Sequence, residues 1–148
     1  YANYFFASNF NQNRDAKSNS ASLNHYLSIP KTDWRFRLGY SHLWNLADGP
    51  DFDYEGNTIN AAISHPLLWK ATGDLFFSQI WNRYSNINSL SATLFRSDNI
   101  SNIVFRINTP IAGRLKGYLQ TGYTRNASNI ATFNYTSHQG GLGFQLGI

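Results

Sequence analysis

The sequence predicts an all-β chain of long antiparallel strands joined as successive hairpins. Three observations predict it. Apolar residues recur at every second position along most of the chain, and only a strand separates alternate side chains onto opposite faces. Most of the alternating runs extend over 11 residues or more. Two kinds of connection, one short and proline-bearing and one polar, take turns between the runs. No segment combines a helix cap with a 3.6-residue period.

Composition narrows the field. The 148 residues are 42% apolar, 16% aromatic and only 14% charged. That charged fraction excludes a disordered polyelectrolyte. With no cysteine, disulfide staples, thiolate metal sites and cysteine nucleophiles are excluded. The chain also lacks methionine, so Tyr1 is expected to follow a cleaved or longer segment. No stretch approaches the ~18 to 20 apolar residues of a membrane helix. Mean hydropathy is nevertheless −0.39. The partners of the many aromatic residues are Asn, Ser, Thr and Gly, so each strand carries one greasy face and one wet face.

Trp34 to Leu46 is the clearest case. Trp34, Phe36, Leu38, Tyr40, His42, Trp44 and Leu46 share one parity, while Arg35, Arg37, Gly39, Ser41 and Asn45 share the other. The same test places strands near 1–14 (Ala2, Tyr4, Phe6, Phe10) and 19–29 (Ala21, Leu23, His25, Leu27, Ile29). Further on they fall near 55–67 (Ile59, Ala61, Ile63), 99–109 (Ile103, Phe105, Ile107) and 114–126 (Leu115, Leu119, Tyr123). A segment over 73–85 is mixed, because Phe76, Phe77, Ile80 and Trp81 fall on both parities. The last strand covers 130–148, with Leu142, Phe144, Leu146 and Ile148 alternating against Gly and Gln. With 33–46 these make about eight strands. The stretch 86–98 is either a long loop or added length on its neighbours.

The short connections carry Pro30, Pro66 and Pro110, and the polar ones lie near 13–18, 47–53, 86–98 and 126–129. Leu38-Gly39-Tyr40-Ser41-His42 after one proline turn is echoed by Thr121-Gly122-Tyr123-Thr124-Arg125 after another. All polar loops then lie on one side and all proline turns on the other.

Long alternating strands, short turns on one side and longer loops on the other resemble a bacterial outer-membrane β-barrel. Lipid supplies no hydrogen bonds, so a spanning sheet must close. The end of the chain, Gly140-Gly141-Leu142-Gly143-Phe144-Gln145-Leu146-Gly147-Ile148, is similar to a terminal barrel strand, although such strands usually finish in an aromatic residue and this one finishes in Ile148. The proline turns and the Ser128-Asn129 … Tyr135 pattern are also similar to the C-terminal barrels of helical-repeat-linked exporters, such as surface lipoprotein assembly modifiers and exopolysaccharide export porins. The resemblance implies an antiparallel up-and-down transmembrane β-barrel of about eight strands. Residues 1–148 then form one domain or the C-terminal portion of a larger barrel. It implies the outer membrane as location, the bilayer and lipopolysaccharide as surroundings, and envelope proteins as partners. The expected role is a passive pore, an export channel or a membrane anchor. Two alternatives are a soluble ligand-binding β-barrel, whose strands also alternate, and an outer-membrane lipid-modifying enzyme.

Candidate residues follow from the faces. Arg35, Arg37, Arg106 and Lys116 lie on the polar parity, where no carboxylate shares mid-strand positions, so a lumen they line favours anions. An eight-stranded barrel is just wide enough for side chains to fill, so only a larger assembly turns these cations into a pathway. Trp34, Tyr40, Trp44, Trp69, Trp81 and Tyr123 are the candidate aromatic girdle. Tyr40-Ser41-His42-Leu43-Trp44-Asn45 superficially resembles the His-x-Ser-Asn of barrel lipases, but Trp44 stands at the serine position and Ser41 should point away from His42. Asp48, Asp51, Asp53 and Glu55 read as a solvated acidic loop in preference to a cation site. His25, His42, His65 and His138 show no ligand spacing. The reading therefore carries no catalytic residue, no metal and no cofactor. The net charge of +4 is spread along the chain instead of clustered with stacking aromatics, which argues against nucleic acid.

Overall fold

The computed structural model describes residues 15–91 and 93–146. They form a single antiparallel sheet of seven strands in sequence order. The strands are β1 (Ala16–Ser28), β2 (Arg35–Ala47), β3 (Tyr54–Pro66), β4 (Thr72–Ile87), β5 (Phe95–Ala112), β6 (Leu115–Ser128) and β7 (Tyr135–Leu146). They run from 12 to 18 residues, well beyond the usual ~5 to 6. The predicted strand over 1–14 and the terminal Ile148 lie outside the described residues. No described helix is long and apolar enough to cross a membrane; the helical pieces are 3-10 turns at Pro50–Phe52, Leu68–Lys70 and Ala131–Phe133.

Two boundaries differ instructively from the sequence pattern. The stretch 86–98 is part loop and part added strand: β4 runs to Ile87, β5 starts at Phe95, and 88–94 connect them. A register shift between Arg83 and Ile87 breaks the parity there, which is why the pattern fades. The last strand begins at Tyr135 and not near 130, because side chains hold a compact turn ahead of it. Asn126 Nδ2 donates to the Phe133 carbonyl (2.8 Å) and Ser128 N–H donates to Asn134 Oδ1 (2.6 Å).

The proline turns and polar loops segregate to opposite ends of the sheet, as the alternation predicts. At the turn end the backbone is tight. Lys31, Asp33, Trp69 and Lys70 adopt positive φ, and Gly113 (φ 54) occupies the two-residue turn between β5 and β6, where a residue without Cβ carries no steric cost.

The two faces of the sheet differ in exposure although, among the described residues, no other layer covers either of them. Along β2, Leu38, Tyr40, Trp44 and Leu46 are exposed, while Arg37, Ser41, Leu43 and Asn45 between them are half-buried and Gly39 is buried. The same holds along β3 to β6: the polar parity is consistently the less exposed. A flat single sheet would expose both faces alike, so this sheet curls towards its polar side. The apolar parity is convex, with Leu38 and Leu119 each 58% exposed. Among the described residues only Ala71 and Ile130 are buried apolar residues, against 28 exposed large apolar or aromatic ones. A water-soluble domain has the reverse arrangement.

Candidate functional site

The concave face is the candidate site, and hydrogen-bond register assigns its residues to rows across the strands. One row runs Ser28, Arg35, Ser64, Asp74, Arg106, Gln120, Gly141. The next towards the loops runs Tyr26, Arg37, Ala62, Phe76, Val104, Gly122, Gln139. A third runs Asn24, Gly39, Asn60, Ser78, Asn102, Thr124, Ser137. Lys116 lies on the same face, between Pro110 and Gln145 at the turn end. All four cations expected on one face therefore share the concave one, within the turn half of the sheet.

Their partners are mostly neutral. Arg106 sends Nε (3.1 Å) and Nη2 (2.6 Å) to the single oxygen Oε1 of Gln120, and its guanidinium carbon lies 5.3 Å from the Tyr118 ring centre. Contrary to the sequence reading, a carboxylate does share the row of these cations: Asp74 stands directly opposite Arg106 in register, and it accepts from Asn108 Nδ2 (2.6 Å). Arg37 Nε is buried without a hydrogen-bond partner among the described residues. The face is not wholly polar. Phe76 pairs with Val104 and Ile80 with Ile100, giving β4 and β5 an apolar strip that the mixed pattern of 73–85 foreshadows.

The candidate girdle residues divide by height on the convex face. Trp34 lies towards the turns, its ring 4.2 Å from and tilted 38° to the His65 ring, and Trp69 sits in the turn itself. Trp44 and Trp81 lie towards the loops, with Trp44 packed 4.2 Å from His42. Tyr40 and Tyr123 are at mid-strand; Tyr40 Oη donates to Asn57 Oδ1 (2.6 Å) and Tyr123 packs 5.1 Å from His138. Ser41 and His42 lie on opposite faces, and His42 Nδ1 contacts Asn57 Oδ1 (2.9 Å).

The loop rim holds groups that sequence reasoning missed. Asp51, read as part of a solvated loop, is buried at 6% exposure and accepts from Ser89 N–H (2.8 Å) and from Ser89 Oγ. Asn45 Nδ2 donates to the Phe52 carbonyl (2.7 Å) and Asn86 Nδ2 to the Pro50 carbonyl (3.3 Å). Asp98, 2% exposed, pairs with Arg96 at 2.5 Å. The Arg96 guanidinium is sandwiched between the rings of Phe133 (3.4 Å) and Tyr84 (4.4 Å). Burial strengthens that ion pair by removing competing water.

The apolar band on the convex face drifts along the rows. In β2 it centres on Tyr40, whose row continues through Ile59, Gln79, Ser101 and Arg125 to Thr136 of β7. The band in β7 centres on Phe144, eight residues further along that strand after five strand steps. With ~3.3 Å per residue and ~4.8 Å between strands, a level band requires strands tilted by roughly 45–50°. Comparison with known protein families, with curated proteins and with solved structures finds no match to this chain.

Proposed function

We propose that this chain is the wall of a transmembrane antiparallel β-barrel of a bacterial outer membrane, serving as a passive pore, an export channel or the anchor of an envelope assembly. The observation that carries the reading is the inverted sheet. Its exposed apolar side chains form an oblique band on the convex face, and the concave face is predominantly polar. Lipid contact relieves the cost of the first, and a water-filled or plugged lumen accommodates the second. The tilt needed to level the band is close to the ~35–45° of transmembrane barrels. A soluble ligand-binding barrel would carry the opposite sign, with its apolar parity inside.

Closure sets a parity condition. β1 and β7 run in the same direction, so an antiparallel wall closes only through an odd number of further strands. One further strand would make eight; a larger barrel needs more. Lipopolysaccharide and phospholipid are the expected surroundings, with envelope proteins as partners, and no covalent chemistry is assigned to the chain. The test is extraction from membranes followed by electrophoresis with and without boiling. The expected result is a requirement for detergent and faster migration of the unboiled form. A chain that stays dissolved and folded without detergent overturns the proposal.

A further inference from the structure

We infer that the concave face binds hydroxylated anions, meaning ring-shaped polyols that carry a carboxylate or a phosphate. The inference rests on the barrel reading and assigns a ligand class to its lumen. Two neighbouring zones carry it. The first is cationic: Arg35 and Arg106 flank Ser64 and Asp74 in one row, with Arg37 in the adjoining row. Among the described residues no carboxylate forms an ion pair with any of these arginines. Asp74 is engaged by Asn108, Arg106 sends Nε and Nη2 to one neutral oxygen, and Arg37 Nε is buried without a hydrogen-bond partner among the described residues. A buried donor left unpaired is destabilising, and an oxyanion drawn to the guanidinium would offset that cost. A guanidinium fork matches carboxylate and phosphate geometry, and a low-dielectric wall concentrates its field.

The second zone is a neutral collar one row further from the arginines. Asn24, Asn60, Ser78, Asn102, Thr124 and Ser137 are all amides or hydroxyls, and Asn102 Nδ2 donates to Ser78 Oγ (3.0 Å). Gly39 lies among them, and a Cβ there would meet Asn24 Oδ1 at 2.5 Å and Asn60 Oδ1 at 2.6 Å, so the two amides converge over the Gly39 backbone. Between the zones Phe76 and Val104 offer apolar surface for the C–H face of a ring. An anion without hydroxyls would use the first zone alone, and a neutral sugar the second alone.

The test uses the full chain inserted in lipid nanodiscs, with calorimetric titration of glucuronate, glucose 6-phosphate, glucose and acetate. Glucuronate or glucose 6-phosphate should bind at least about tenfold tighter than both glucose and acetate, or ~1.4 kcal/mol. The tighter of the two identifies carboxylate or phosphate as the preferred charge. Arg35→Ala with Arg106→Ala should abolish the preference over glucose, and Asn60→Ala with Asn102→Ala the preference over acetate. Unboiled gel mobility shows that each variant is folded. Glucose binding as tightly as both anions, or acetate binding as tightly as glucuronate, overturns the inference while a detergent-dependent, heat-modifiable chain leaves the barrel reading standing. A chain that never inserts defeats the barrel reading itself.

Discussion

The two ends of the sheet are built on different principles. At the loop end, side chains tie loops to one another and to strand ends: Asp51 to Ser89, Asn86 to Pro50, Asn129 to Phe95 and Ser97 of β5, with the Arg96–Asp98 pair of β5 set between two rings. At the turn end, backbone geometry does the closing, and the tips are bare. Leu68 is 76% and Trp69 88% exposed. Charge divides the same way among the described residues. The turn half holds Lys31, Arg35, Arg37, Lys70, Arg106, Arg114 and Lys116 against Asp33 and Asp74. The loop half holds Lys17, Arg83, Arg96 and Arg125 against six carboxylates. Loops that face water must satisfy their own backbone groups, and they do so with Asn, Ser and Asp. Under the proposed barrel reading, a turn that ends in Leu and Trp would meet the headgroup layer of the membrane.

If the loop end depends on its side chains, cutting them should cost most there. The largest effect is expected at Asp98. Asp98→Ala removes the partner of a cation that is itself only 11% exposed, and an orphaned buried charge costs about 3 kcal/mol or more. Urea unfolding in lipid vesicles should show this as a lowered midpoint. Replacing both members, Arg96→Met with Asp98→Leu, should recover much of the loss, because the pair's desolvation cost disappears with it. Equal stability of Asp98→Ala and the parent chain would mean that the sandwich does not hold this rim.

A smaller effect is expected at Asp51. Asp51→Ala leaves Ser89 without its acceptor and should cost about 1–3 kcal/mol, read by the same titration. Limited proteolysis should then cut faster within 48–53 and 88–94 and at an unchanged rate in the turn 67–71. Faster cutting at both ends would show that the two rims are not independent.

How much of this could be read beforehand depends on the range of the interaction. Strand identity is local, so alternation along Trp34 to Leu46 was enough to predict β2 within two residues at either end. The grouping of Arg35, Arg37, Arg106 and Lys116 on one parity follows from the same count. Arg96 and Asp98 stand two apart, a spacing that shares a strand face, but the shift after Arg83 hides the strand they belong to. Asp51 gave no signal, because its partner is 38 residues away and an acidic loop has the same composition whether latched or free. The sign of the faces was illegible for a different reason. Alternation says that two faces differ; only the curl of the whole sheet says which one is outside.

The smallest effect belongs to the turn end and separates two causes. Trp69 has φ 56 and Lys70 φ 60, a left-handed region that costs a residue with a Cβ roughly 1–2 kcal/mol. Trp69→Ala keeps that strain and removes the ring, while Trp69→Gly removes both. The glycine variant should therefore be the more stable of the two by a few tenths to about 1 kcal/mol, after the larger freedom of glycine in the unfolded chain is counted. Both should unfold at lower urea than the parent chain in vesicles containing phosphatidylglycerol, where the ring has an interface to occupy and Lys70 an anionic headgroup beside it. In the same vesicles, brominated lipid should quench Trp69 in a chain whose other tryptophans are changed to phenylalanine. Quenching by aqueous acrylamide alone would place the turn end in water, and the two rims would then differ in construction but not in surroundings.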